Sequence, residues 1–410
     1  MKNPVWILTL ALLLLAGCRS GTDKEKTMTF KDDVKFLKKF KPVIILSDET
    51  GRSRVALVAD WQGRVVTSTA DGERGLSFGW INRELIASGR YQEHINVFGG
   101  EDRFWLGPEG GQFSIFFEAG SPFDLENWYV PAAIDWNPFQ VVLAEKARAV
   151  FRQEMSLKNY SGTEFKLEAV REVRLLTREK VEEHLGLGLG PEVKQTAFET
   201  VNTIKNTGPL EWKKETGLLS VWILGMFNPS PATTVVVPFQ AGPESELGPV
   251  VNDAYFGKVP ADRLAVAASA VFFKGDGLLR SKIGISPRRA KPVLGSYDAQ
   301  HKVLTLVQFT FSPGVADYVN SMWQIQDNPY GGDVVNSYND GPAEPGARPL
   351  GPFYELETSS PAAALKPGET LTHLHRTIHL QGAEAELNRV AKALLGVSLE
   401  DISKAIPHQP

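Results

Sequence analysis

Arg54-Val55-Ala56-Leu57-Val58-Ala59-Asp60-Trp61-Gln62-Gly63-Arg64-Val65-Val66-Thr67-Ser68-Thr69 is two runs of mainly β-branched and small apolar residues, separated by Gln62-Gly63. Branched side chains fit a pleated sheet, and a glycine between two such runs marks a reversal, so the stretch predicts an antiparallel pair. Just upstream, Val43-Ile44-Ile45-Leu46 reads as a buried strand closed by the turn residues Asp48-Glu49-Thr50-Gly51. Downstream the rhythm continues. Strands are expected at 141–151, 164–175, 197–206, 218–226, 233–239, 264–273, 281–285, 302–311, 353–358 and 370–380. Helical patterning is confined to 30–40, 178–184 and 384–395. Strands at short intervals, without helices between them, imply antiparallel sheets stacked as a sandwich. The expected fold class is all-β: one large domain over 29–410 with peripheral helices at both ends.

The chain has 410 residues, 42% of them hydrophobic and 22% charged, with a formal net charge of −4. This is enough apolar material for a large core, and no basic tract suggests nucleic acid as a partner. The first residues stand apart. Lys2 precedes an apolar run from Val5 to Leu15, and Leu15-Ala16-Gly17-Cys18 closes it. That is an export signal over 1–17, too short for a comfortable membrane span, and its end resembles a bacterial lipobox. The resemblance implies diacylation of Cys18, the single cysteine of the chain, and hence a membrane anchor in the bacterial cell envelope. Residues 18–28 read as a polar tether. Phe30 to Phe40 follows, with apolar residues at 30, 34, 37 and 40, acids at its start and lysines at its end. Such a helix is expected to pack on its own domain.

The densest chemistry lies in Gly99–Phe117, GGEDRFWLGPEGGQFSIFF. It holds Glu101, Asp102, Arg103, Glu109, Gln112 and several aromatic rings between two glycine pairs. Glycines admit positive φ and close approach, Pro108 stiffens the loop, and Gln112–Phe117 reads as a strand. A stiff polar loop feeding a strand suggests a ligand site on a rigid scaffold.

Val55 to Ser68 resembles the opening hairpin of galactose mutarotase-like (aldose 1-epimerase-like) proteins. Gly99-Gly100-Glu101-Asp102-Arg103-Phe104-Trp105-Leu106-Gly107-Pro108-Glu109 resembles a corner of uncharacterised relatives. Tyr354-Glu355-Leu356-Glu357-Thr358-Ser359-Ser360-Pro361 and Leu365-Lys366-Pro367-Gly368-Glu369 resemble that superfamily's penultimate strand and following turn. The matches fall in patches over roughly residues 43 to 381. The whole chain looks like a group of bacterial lipoproteins of unknown function within the superfamily. The resemblance implies a β-supersandwich with a carbohydrate cleft on a concave sheet face.

Aldose 1-epimerases open a sugar ring with a glutamate base and a histidine acid, because one hydroxyl loses a proton while the ring oxygen gains one. The resemblance carries the glutamate to Glu357, with Glu355 two residues away on the same strand face as the alternative register. The family histidine has no counterpart; Trp222 stands roughly at its place, and His94 is the substitute acid. Arg103 is suited to a ligand carboxylate or phosphate, or to pairing with Glu101 or Glu109. Trp105 and Trp222 offer ring faces to a pyranose, or core packing. Glu109, Gln112 and Lys282, the last in a Lys-Ile-Gly strand, complete the expected binding set. His373, His375 and His379 share one face of the last strand. A His-x-His pair is a donor set for zinc, but without a third ligand no metal is assigned, and a partly solvated histidine face is expected. No cofactor is expected. The reading is a lipid-anchored carbohydrate-binding protein, either a sugar-active enzyme or a non-catalytic glycan-binding or scaffold protein.

Overall fold

The structure, a computed structural model, describes residues 28–406 apart from 343 and 345. The expected signal peptide, Cys18 and the tether up to residue 27 lie outside the described residues. Three antiparallel sheets build the domain. A three-stranded sheet holds Ile44–Ser47, Arg54–Val58 and Arg64–Thr69. Its second turn is a short 3-10 segment, Ala59–Trp61, ending at Gln62 in the left-handed region. The ten-stranded sheet runs, in spatial order, Leu264–Val266, Ala270–Lys274, Thr233–Pro238, Val293–Asp298, Val303–Phe309, Thr370–Gln381, Lys194–Asn206, Glu164–Leu175, Arg148–Lys158 and Gln140–Ala144. The five-stranded sheet runs Ser281–Ile285, Val335–Asn339, Tyr354–Ser359, Ser220–Phe227 and Arg103–Gly107.

Burial separates the two larger sheets. Along Glu164–Leu175 every second residue (Phe165, Leu167, Ala169, Arg171, Val173, Leu175) is buried, while those between are exposed or half-buried. One face of this end of the large sheet therefore meets solvent; at the other end Thr233–Pro238 and Ala270–Lys274 are buried on both faces, where helices Glu384–Leu395 and Leu399–Ala405 cover the sheet. In the five-stranded sheet every strand residue is buried, so that sheet is covered on both faces. Its inner face packs on the large sheet through Phe104, Leu106, Val221 and Ile223 against Phe151, Phe165 and Phe198. Each such side chain stabilises by roughly 1.5–3 kcal/mol.

A polar seam runs through this interior. Fully buried Arg171 donates to the Asp102 carboxylate, to Asn202 Oδ1 at 2.7 Å and to the Gly63 carbonyl at 3.2 Å. His379 Nε2 lies 2.8 Å from Glu101 Oε2, and its Nδ1 lies 2.9 Å from the Thr305 hydroxyl. The Thr358 hydroxyl sits 2.9 Å from both His373 Nε2 and His375 Nδ1. The partly solvated histidine face expected from sequence is thus corrected: all three are fully buried, because their face of Thr370–Gln381 turns toward the five-stranded sheet. Burial pushes His373 down to about 3 and His375 down to about 4, which keeps both imidazoles neutral. Among the described residues no His, Cys, Asp and Glu side chains group to hold a metal.

Three element expectations change. Residues 141–151 form a hairpin, closed by Glu145 N–H to Arg148 O at 2.7 Å. Residues 264–273 likewise break at Ala267, whose N–H bonds Ala270 O. Gln112–Phe117 is not a strand: Ser114 turns back to Gly111 O and Glu109 O, and the strand of this stretch is Arg103–Gly107. The first helix, Phe30–Leu37, is capped by Thr29 and packs Leu37 beside Val58, Trp61 and Phe98, as expected.

Candidate functional site

Strand register decides which side chains share a face. Trp105 pairs with Trp222, Leu224 with Glu357, Glu357 with Asn336, and Tyr338 with Lys282. Paired residues point the same way and every second residue along a strand returns to that face. The outer face of the five-stranded sheet therefore carries Arg103, Trp105, Ser220, Trp222, Glu355, Glu357, Asn336 and Lys282. The structure brings together most of the residues singled out in the sequence.

Glu357 is the hub. Its Oε2 accepts from Trp222 Nε1 at 2.9 Å and from Lys282 Nζ at 3.0 Å. The Lys282 ammonium also lies 4.7 Å from the Trp222 ring and 5.4 Å from the Tyr255 ring. Arg103 approaches Glu355 Oε1 at 3.4 Å and stacks 4.1 Å over Trp105. Neither tryptophan is open: Trp105 is 3% and Trp222 5% exposed. Phe116 and Trp222 pack against Trp105, and Phe116 stacks on Trp128, which stacks on Trp323.

These rings belong to a roof made by residues 109–130 and 318–333. Gln112 ties its two halves: its Nε2 donates to Gln326 O at 2.8 Å and its Oε1 accepts from Gln326 N at 3.0 Å. The glycine pairs serve the crossings. A Cβ on Gly99, at φ 91°, would lie 2.1 Å from Trp80 O, and one on Gly110 would lie 2.4 Å from Met322 O. Under the roof remains a recess of about 10 Å³ lined by Ser220, Trp222, Tyr255, Lys282, Asp333 and Asn336 among others. It has room for about one water.

Burial first, then repulsion from Glu357, pushes Glu355 up to about 8, against the pull of Arg103 and Lys282. Burial likewise raises Glu109, moderated by Lys282 and reinforced by repulsion from Glu357. Burial alone would lower Lys282, but Glu357, Glu109 and Glu355 together hold its ammonium above the usual value. Asp333 is raised by burial although Tyr255 at 2.6 Å and Asn252 at 2.9 Å donate to it. Two adjacent carboxyl groups, one holding its proton to about pH 8, are equipped for proton exchange.

His94 stands elsewhere. Its Nδ1 faces Trp128 O at 2.7 Å and its ring stacks on Tyr129, so neither contact takes it to Glu357. Glu101 and Asp102 leave Arg103 for the interior seam. Sequence reading missed Tyr255, Asp333, Asn336 and Ser220. Tyr255 and Asp333 come from loops without a local signal. Asn336 sits in Val335–Asn339, whose polar composition hides a strand buried on both faces.

The fold of this chain is galactose mutarotase-like. An Escherichia coli K12 protein provisionally assigned as an aldose 1-epimerase superposes with a TM-score of 0.51 at 11% identity, covering 83% of this chain and 99% of that one. The Slr1438 protein from Synechocystis sp. PCC 6803 gives 0.50 at 13% identity, covering 83% and 96%. Identities this low speak for the fold alone. No curated protein matches the sequence. A family model matches residues 28–406, and on that match the chain belongs to the family of unknown function DUF6786.

Proposed function

We propose that the roofed face of the five-stranded sheet binds a carbohydrate, and that the protein is held at a membrane of the cell envelope through acylated Cys18. One observation carries the binding reading. Glu357 Oε1, Arg103 Nε and Nη1, Trp105 Nε1 and Ser220 Oγ are buried without a protein partner, all on side chains of that face. Buried polar atoms are nearly always satisfied, so these call for water or a polar ligand. Sugar hydroxyls both donate and accept, as this mixed set requires.

The carboxyl pair supplies a reaction for such a ligand. Glu357 takes the proton of the anomeric hydroxyl while Glu355 gives its proton to the ring oxygen, and the bond from C1 to the ring oxygen opens. Closure on the other face of the carbonyl returns both protons. A non-catalytic glycan-binding role is favoured instead by one detail: Trp222, which by the sequence resemblance stands roughly where the family histidine would be, ties up Glu357 Oε2 together with Lys282. Ligand entry requires the roof to lift, since the recess admits only about one water.

The test is calorimetric titration with neutral and acidic mono- and oligosaccharides, followed by NMR exchange between anomers of any sugar that binds. Binding should weaken in Arg103→Ala. Glu357→Gln should retain binding and lose anomer exchange, because an amide keeps the shape but takes no proton. Binding without exchange establishes the glycan-binding role. Hits that bind Arg103→Ala as well as the wild type remove this face as the site.

A further inference from the structure

A larger recess lies elsewhere. It has a volume of about 500 Å³ and shares no lining residue with the space beneath the roof. It opens where residues 76–81 cross the ends of strands Ser220–Phe227 and Tyr354–Ser359. Thr305 and His379 of the large sheet also line it. Its size falls within the range of small-molecule pockets.

Three carboxylates line it: Asp33, Asp276 and Asp298. Each already has a basic side chain in place. Arg83 bonds Asp33, Arg263 grips both oxygens of Asp276, and His301 Nδ1 lies 2.6 Å from Asp298 Oδ2. That hydrogen bond holds His301 above its usual range. The recess therefore carries matched charge, and a charged ligand would have to break an existing pair. Apolar side chains make up much of the remaining lining, including Phe78, stacked 4.2 Å from the His379 ring, with Trp80, Pro229 and Pro231. Polar edges are fixed between these surfaces. Asn228 Nδ2 is spent on Ser77 O and Gly79 O, both at 3.0 Å, which turns its Oδ1 outward, and the Asp298 bond leaves His301 Nε2 to the recess.

We propose that this recess is a second ligand site, independent of the roofed face, and that its ligand is a neutral saccharide of one or two rings. A hydrocarbon would strip water from Asp33, Asp276, Asp298 and His301 and replace none of it, which is unfavourable. A saccharide presents a C–H face to the rings and prolines, and hydroxyls to the carboxylates and imidazole in charge-assisted hydrogen bonds.

The experiment titrates the full chain with maltose, cellobiose and lactose, with glucuronate and decanoate as charged and apolar comparators. At least one neutral disaccharide should bind. Its Kd should weaken about tenfold in His301→Leu, the loss of one good hydrogen bond. Leu278, 65% exposed on the rim, can be enlarged without touching the core, and Leu278→Trp should weaken binding by narrowing the mouth. Arg103→Ala, which weakens binding at the roofed face, should leave this binding unchanged, and that separates the two sites. Three results overturn the proposal: no disaccharide binding at millimolar concentration, tighter binding of glucuronate or decanoate, or binding that survives His301→Leu and Leu278→Trp.

Discussion

Glu355 and the buried histidines set opposite pH dependences on stability. Below about pH 6.5 the unfolded chain protonates His373 and His375, while the folded chain keeps them neutral down to about 4 and below. The unfolded state then binds more protons, so stability rises with pH, by about 1.4 kcal/mol per unit for each histidine. Glu355 acts the other way. Unfolded, it loses its proton near 4.5; folded, it keeps it to about 8. Its contribution is fully present below 4.5 and is lost as pH rises through 8. Between 4.5 and 6.5 the two histidines outweigh it, and above 6.5, where they no longer titrate in either state, Glu355 acts without their opposition. Denaturant unfolding should show maximal stability near pH 6.5. The decline toward pH 8 should flatten in Glu355→Gln, and an equally steep decline in that variant would place the titration on another group.

At the scale of elements, the roof distinguishes this site from an open cleft. The Gln112–Gln326 pair makes two hydrogen bonds between segments more than two hundred residues apart. Gln326 in turn donates to Met322 O at 2.7 Å and Asn320 O at 3.0 Å. Gln112→Ala removes both contacts and leaves the Gln326 main chain short of partners, at a cost of about 1–3 kcal/mol. Hydrogen exchange should rise in 318–328 before it rises in the five-stranded sheet. If the roof gates entry, saccharide association should also speed up in this variant. Unchanged exchange in 318–328 would mean that ring packing, rather than the amide clamp, holds the roof.

At the scale of the whole molecule, three sheets and a roof pack together, and the expected anchor lies ahead of them. Multiple acyl chains hold a protein at a membrane where a single chain does not. Cys18→Ala should therefore release the protein from membrane fractions or halt its maturation, as read by fractionation and by the size of the processed chain. A variant that is processed normally and still sediments with membranes would remove the lipid anchor.

The sequence by itself determined the fold class, because branched residues in short runs between turn residues allow few arrangements other than stacked antiparallel sheets. The glycine-flanked loop picked out Arg103 and Trp105, and the resemblance to mutarotase-like proteins picked out Trp222, Lys282, Glu355 and Glu357. Which strands would lie side by side was decided only by the tertiary structure: Glu357 meets Lys282 through the register of three strands far apart in the chain. Burial was decided there too. The same alternation that aligned His373, His375 and His379 is compatible with a wet face or a dry one, and packing against the five-stranded sheet made it dry. Gln112 was legible as a polar residue beside the site, yet its partner is a loop more than two hundred residues away, so its role as a clamp exists only in the folded chain.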